Sequence, residues 1–149
     1  MIEPKYLMLG DWVQVKNPSL GFYNVMGRII AINEMEGHAL SKTFDISFVD
    51  DEDHKIHYIG CPKYNVYPIP LTPEILEKNG FEYCEAHRMY LYLDDFFDIK
   101  IRQYSDMMWE FTYCNNEMNL PDTQIAGIGY VHHLQHALNM VGVEKDIII

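Results

Sequence analysis

The segment that begins at residue 68 and reads PIPLTPEILEKNGF constrains the fold more than any other part of this sequence. Its two leading prolines lack the N–H that a sheet ladder needs, so they predict the end of a β-strand. Thr72 is a favoured helix N-cap, and Pro73 suits the first helical position. Gly80 predicts the end of that helix. The segment therefore predicts a helix near 72–79 that separates a β-rich first half from a mixed second half.

Five short strand candidates precede this segment. Apolar and polar residues alternate in them, as is typical of half-buried strands. Their approximate ranges are 12–16, 23–33, 43–50, 54–59 and 64–69. So many short strands, opened by the sequence Gly-Asp-Trp-Val at 10–13, indicate a small barrel. We predict an SH3-like β-barrel domain over residues 1–70.

The second half predicts an antiparallel β-meander flanked by two helices. Residues 89–93, 99–102 and 109–113 alternate as strands do. Apolar residues at helical spacing predict a last helix near 130–141. The predicted fold class is therefore α+β, with a second domain over 71–149.

Two segments between the predicted elements of this half lack a helix or strand pattern. We expect residues 115–121 to form a loop and residues 127–129 to form a flexible entry to the last helix. Because neither half is large enough to bury much core alone, we expect the two domains to pack as one unit.

Composition narrows the possible partners. The net charge is -11, and residues 71–149 carry five Lys/Arg against thirteen Asp/Glu. This acidic excess makes nucleic-acid binding by the second half unfavourable. Three isolated cysteines, no signal-peptide pattern at the N-terminus and no apolar run of membrane-spanning length predict a cytoplasmic protein without a membrane segment.

Two motifs carry a family resemblance. The segment PIPLTPEILEKNGF and the later YVHHLQ at 130–135 resemble an uncharacterised family of small proteins from Bacteroides-type gut bacteria and their phages and mobile elements. The opening Leu-Gly-Asp-Trp-Val at 9–13 is also similar to that family. The resemblance implies a cytoplasmic protein of phage or mobile-element origin, and it implies no activity. His132 matches the family pattern, whereas His133 and His136 do not.

An aromatic cage is the first candidate site. Cages of aromatic rings with a nearby carboxylate bind cationic side chains. Such a cage would form if strand residues converge at one mouth of the barrel, and the candidate residues are Trp12, Tyr23, Phe48, Asp50 and Tyr58. The same aromatic residues would equally fill a small barrel core.

Three histidines give the second candidate site. On a helix, His132 and His136 lie one turn apart on the same face, as two zinc ligands would. His133 occupies the position of the glutamate base in the metalloprotease motif, and no spacing signals a third ligand. The alternative is an amphipathic helix whose polar rim is rich in histidine.

We therefore expect a non-enzymatic protein-interaction module with a protein partner and no cofactor. One alternative is a metal-dependent hydrolase that uses His132 and His136 with zinc. The other is a nucleic-acid-associated factor that acts through the barrel, where a few basic residues could form a weak basic face.

Overall fold

The computed structural model describes residues 7–17, 22–34, 42–49, 56–116 and 122–149. These residues form mostly β structure with two helices, and every strand ladder among them is antiparallel. The chain divides into two compact units, Met1–Ile69 and Pro70–Ile149, each of which contains one five-stranded sheet. No helix in the described ranges has the length and apolar character needed to cross a membrane.

Unit 1 is built from the predicted β-rich half. Its strands are β1 (Trp12–Asn17), β2 (Phe22–Glu34), β3 (Lys42–Val49), β4 (Ile56–Pro62) and β5 (Val66–Pro68). A short 3-10 helix, Lys63–Asn65, precedes β5. The strand order is β4-β3-β2-β1-β5. Each strand overlaps one that the alternation predicts.

Strand register collects the apolar residues of unit 1 on one face of the sheet. Ile46 of β3 pairs with Ile59 of β4, and Phe44 pairs with Cys61. Because side chains alternate between faces, these pairs all point the same way, which we call the inner face. The inner face forms a core cluster of Leu7, Val13, Val15, Ile29, Phe44, Ile46, Phe48, Ile59, Cys61 and Val66.

The sheet of unit 1 is not a closed barrel, so the predicted SH3-like barrel is not confirmed. Strands β4 and β5 lie at opposite ends of the strand order, and no ladder joins them in the described part of the chain. Closure requires hydrogen bonds between the two outermost strands. Both strands end in a proline, Pro62 and Pro68, which cannot donate to such a ladder.

Unit 2 contains the helices. Its elements are α1 (Pro73–Lys78), β6 (Glu82–Cys84), β7 (Met89–Leu93), β8 (Phe97–Ser105), β9 (Met108–Asn115), β10 (Thr123–Ile128) and α2 (Val131–Met140). The strand order β10-β9-β8-β7-β6 follows the chain without a crossover. The predicted meander and both predicted helices are present. The fully buried residues of β8 and β9, such as Ile99 and Phe111, share one face with the buried Tyr90 of β7.

The sequence reading missed the two outer strands of this meander. Residues 127–128 were expected to belong to a flexible entry, but they end β10, where Ile128 pairs with Trp109 and is 3% exposed. Asn115 was expected to begin a loop, but it ends β9, and residues 117–121 of that loop lie outside the described ranges. Strands β6 and β10 are short or contain glycine, which weakens their alternation pattern.

The helix signals at 72–80 act as predicted. The Thr72 hydroxyl oxygen accepts a hydrogen bond from the Ile75 N–H at 3.4 Å, and Pro73 is the first helical residue. Gly80 has a φ of 79°, the left-handed conformation that glycine adopts without strain.

The end of the described chain is attached to α1 through Asn79, which is 4% exposed. Its side-chain amide donates to the Ile148 carbonyl at 2.7 Å, and its side-chain oxygen accepts from the Ile148 N–H at 2.9 Å. The same amide donates to the Ile75 carbonyl of α1 at 2.7 Å. Ile147, next to this pairing, is completely buried. One side chain therefore joins α1 to a segment 69 residues away.

Gly27 tests the close packing of β2 against β3. A Cβ at Gly27 would lie 2.5 Å from the Ser47 carbonyl oxygen and 2.6 Å from the Ile46 side chain. We expect Gly27→Ala to destabilise unit 1 by about 1–3 kcal/mol, because the clash involves backbone. Urea denaturation followed by the indole NMR signal of Trp12 measures this change. The matched control is Gly60→Ala, where the nearest atom is 3.5 Å away. Equal midpoints for the two variants would refute the packing argument.

Asn79 tests the attachment of residues 147–149. We expect Asn79→Ala to destabilise unit 2 by about 1–3 kcal/mol, since it removes a buried side chain that makes three hydrogen bonds, two of them to the Ile148 backbone. In a Trp12→Phe background, Trp109 fluorescence reports urea denaturation of unit 2 alone. Asn139→Ala is the control, because Asn139 is exposed near the end of α2. If both substitutions shift the midpoint equally, the Asn79 pairing contributes nothing specific.

Candidate functional site

The side of the unit 1 sheet opposite its core, which we call the outer face, carries the candidate site. Tyr58 of β4 pairs with Ser47 of β3, Ser47 pairs with Arg28 of β2, and Arg28 pairs with Trp12 of β1. These four residues form one row across four strands. Because their neighbours along each strand are core residues, the row points away from the core.

Four large apolar side chains are exposed on this outer face. Met26 is 46% exposed and lies two residues before Arg28 on β2. Val49 and Ile56 pair directly with each other and are 59% and 62% exposed, and Tyr58 is 70% exposed. We call Met26, Val49, Ile56 and Tyr58 the outer apolar patch. Such a group on one face is unlike isolated exposed apolar residues, and it is typical of an interaction surface.

Two cations contact aromatic rings on the same face. The Arg28 guanidinium lies 4.7 Å from the centre of the Trp12 ring, and the Lys16 ammonium lies 5.1 Å from that of Tyr67. Both distances are within the range of cation–π attraction. The Trp12 ring therefore already has a cation from its own chain against it. A cationic ligand at Trp12 would have to compete with Arg28.

The residues of the predicted aromatic cage are divided between the two faces. Trp12 and Tyr58 lie in one row of the outer face, whereas Phe48 is 6% exposed in the core on the inner face. Phe48 stacks on His57 with ring centres 5.6 Å apart. The side chain of Tyr23 and the whole of Asp50 lie outside the described part of the structure. The structure thus brings Trp12 and Tyr58 to one face and places Phe48 on the other.

His132 contacts the other two histidines of α2, His133 and His136. The ring centre of His132 is 4.3 Å from that of His133 and 5.9 Å from that of His136. His132 is 1% exposed, while the other two are half-buried. The Gly129 N–H donates to His133 Nδ1 at 3.3 Å, so one nitrogen of His133 is used at the start of the helix.

This arrangement supplies two imidazoles one turn apart, as the sequence predicts. A structural zinc ion needs four ligands, and a catalytic zinc ion needs three from the protein. Within the described ranges, no group of three or more His, Cys, Asp or Glu residues is placed to hold a metal ion. A zinc site on α2 would therefore need ligands beyond those that the described geometry assembles.

The exposed side of the unit 2 sheet carries a polar cluster. Lys100 Nζ lies 2.9 Å from the Asp122 carboxylate. The hydrogen bond from Lys100 lowers the pKa of Asp122, and the hydrogen bond to Asp122 raises the pKa of the Cys114 thiol. At pH values above the usual pKa of aspartate, the Asp122 carboxylate is ionised and pairs with Lys100. The pairing is lost as the pH falls through the lowered pKa of Asp122, because the carboxylate then gains a proton. A thiol with a raised pKa is a poor nucleophile at neutral pH.

Cys61 is also unsuited to catalysis. It is completely buried in the core of unit 1, and this burial raises its pKa to about 11. Since the thiolate is the reactive form, Cys61 serves as a packing residue.

The outer apolar patch does not follow from the alternation in the sequence. Alternation puts Ile56 and Tyr58 on one face of β4 but does not distinguish that face from the core face. The register shows why, because the inner-face residues of β4 are Ile59 and Cys61 instead. One feature of the sequence could have indicated the patch. Strand β4 carries apolar residues on both of its faces, whereas a strand with one face in the core needs them only on that face.

Thiol labelling tests the burial of Cys61. At pH 8, a pKa of about 11 leaves only about 0.1% of Cys61 as thiolate, and the folded sheet also blocks access. We expect a maleimide reagent to modify Cys84 and Cys114, which are half-buried, and to reach Cys61 only after unfolding. Mass spectrometry of native and urea-treated protein counts the labels, and a Cys61→Ala variant identifies the protected site. Rapid modification of three thiols in native protein would contradict the described core.

The chain was compared with protein-family models, curated protein sequences and solved structures. No protein-family model, curated protein sequence or solved structure matches the chain.

Proposed function

We propose that the chain is a non-enzymatic, cytoplasmic protein-interaction module that binds a protein partner through the outer face of unit 1. The observation that carries this proposal is the outer apolar patch. Met26, Val49, Ile56 and Tyr58 are each about half or more exposed on the face opposite the core. The family resemblance supports a cytoplasmic location and an origin from a phage or mobile element.

The composition of the outer face suits protein binding. Tyrosine, tryptophan and arginine contribute most strongly to the affinity of protein interfaces. Tyr58, Arg28 and Trp12 occupy one row beside the aliphatic residues of the patch. Covering the patch would remove its apolar surface from water at a gain of about 25 cal/mol per Å².

The charges on this face define the partner's chemistry. Lys16 and Arg28 lie on the outer face, and each contacts an aromatic ring. The Asp45 carboxylate lies on the same face, where it accepts a hydrogen bond from the Asn33 side chain at 3.1 Å. A partner that presents apolar side chains flanked by carboxylates would match both the patch and these cations.

The strand arrangement supports a finer proposal for unit 1, an SH3-like topology in an open form. Strand β1 lies between β2 and β5, and β2, β3 and β4 follow one another as a meander. Such small sheets hold varied binding sites, so the topology alone does not select a partner.

Two alternative functions would use other contacts in the structure. A zinc-dependent hydrolase would use the contact between His132 and His136. A nucleic-acid-associated factor would use the two cations and their aromatic partners on the outer face.

The main proposal is tested by comparing how much of a partner protein the tagged chain and its variants retain from a cell lysate. The tagged chain is incubated with nuclease-treated lysate of the cells that produce it, and retained proteins are measured by mass spectrometry. We expect a stoichiometric protein partner that is lost, at least tenfold, on the double substitution Val49→Glu and Ile56→Glu, because buried carboxylates oppose binding.

The control substitution is Tyr104→Glu in unit 2, where Tyr104 is 78% exposed. It should leave capture unchanged, and circular dichroism checks that both variants remain folded. A partner retained equally by both variants would refute the outer face as the binding site. A partner recovered from untreated lysate but not from nuclease-treated lysate would favour the nucleic-acid alternative, and zinc retained in the purified bait would favour the hydrolase.

A further inference from the structure

Unit 2 contains a pocket on the side of its sheet where Tyr90 and Trp109 are buried. Its volume is about 330 Å³. The residues that line it come from four strands, one turn and the start of α1, and they are Pro73, Tyr83, Arg88, Tyr90, Gln103 and Trp109. A pocket of this size is at the lower end of those that hold small molecules.

Three aromatic rings line one wall of this pocket and contact one another at a tilt or edge to face. The ring centres of Tyr83 and Tyr90 are 5.1 Å apart, and those of Tyr90 and Trp109 are 6.0 Å apart. Tyr83 is 50% exposed, whereas Tyr90 and Trp109 are buried. The Tyr90 hydroxyl contacts Glu77 at 3.4 Å, which holds that ring in place. Such a wall favours a ligand with a flat aromatic ring.

The charge of the lining indicates which polar group a ligand would carry. Among the described lining residues, Arg88 alone is charged. A guanidinium binds a carboxylate through two parallel hydrogen bonds. The group that best fits these donors is therefore an anionic oxygen acceptor.

The backbone at Arg88 is also unusual. Arg88 is the last residue of the turn between β6 and β7, and its φ is 52°. This left-handed conformation is uncommon for residues other than glycine, and strain of this kind concentrates at ligand sites. Glycine would adopt it freely, so stability alone does not explain an arginine here.

We propose that this pocket binds a small aromatic monocarboxylate, with its ring against Tyr83, Tyr90 and Trp109 and its carboxylate on Arg88. We expect the ligand to carry only one negative charge, because the charged residues of unit 2 are mostly acidic. Residues 71–149 carry five Lys/Arg against thirteen Asp/Glu, and Glu77 contacts the Tyr90 wall. This field disfavours phosphorylated or polyanionic ligands.

The two tryptophans of the chain provide a direct test, since Trp12 lies in unit 1 and Trp109 in unit 2. The full-length ¹⁵N-labelled protein is titrated with indole-3-acetate to about 10 mM at pH 7, which is about tenfold above the Kd of about 1 mM that corresponds to about −0.3 kcal/mol per non-hydrogen atom of the ligand. A Trp12→Phe variant assigns the two indole signals. We expect a saturable shift of the Trp109 signal, and the Trp12 signal should stay unchanged.

Three comparisons decide the ligand class. Neutral indole-3-acetamide should bind at least tenfold more weakly, and so should adenosine monophosphate. Arg88→Gly should weaken indole-3-acetate binding at least tenfold without lowering the urea midpoint of unit 2. Arg102→Ala, which removes an exposed arginine of β8, should bind as the wild type does.

Several results would overturn the proposal. These are the absence of a Trp109 shift with indole-3-acetate, equal binding of acid and amide, stronger binding of the nucleotide, or unchanged binding by Arg88→Gly. If Arg88→Gly lowers the urea midpoint, Arg88→Asn replaces it, because asparagine tolerates the left-handed conformation. The same loss of binding is expected, and unchanged binding counts against the site.

Discussion

Burial of one face of each sheet is the constraint on which the rest of the structure depends. In unit 1, pairs such as Ile46 with Ile59 align apolar residues of neighbouring strands on the inner face. A register slip of one residue would move every such side chain to the opposite face. The same constraint leaves the second face of the sheet free to carry residues that the fold does not need. Met26, Val49, Ile56 and Tyr58 occupy that free face.

Much of the fold could be predicted from local signals. Alternation identified five strands in unit 1 and the three central strands of unit 2, and proline, threonine and glycine marked the ends of α1. The strands that were missed, Glu82–Cys84 and Thr123–Ile128, form the edges of the second sheet. Edge strands pair on one side only and have weaker patterns. Barrel closure was over-predicted, because alternation carries no information about whether the outermost strands meet.

The candidate sites were harder to predict because they depend on which face of a strand is buried. Trp12, Phe48 and Tyr58 all lie on strands, as expected, but Phe48 faces the core while the other two lie on the outer face. The pair His132 and His136 follows directly from helical spacing, since one helix determines it. The pocket beside Arg88 could not be predicted, because it combines residues from six separate places in the chain.

The attachment of Ile148 to Asn79 also has a consequence for biosynthesis. The two residues are 69 positions apart, so α1 leaves the ribosome long before its hydrogen-bonding partner does. A six-residue helix is too short to be stable alone in water. During translation, α1 lacks this hydrogen-bonding partner until the last described residues emerge. The native state of unit 2 then forms late and as a whole, and a ribosome-bound chain that stops before Ile147 presents an incomplete fold to chaperones and proteases.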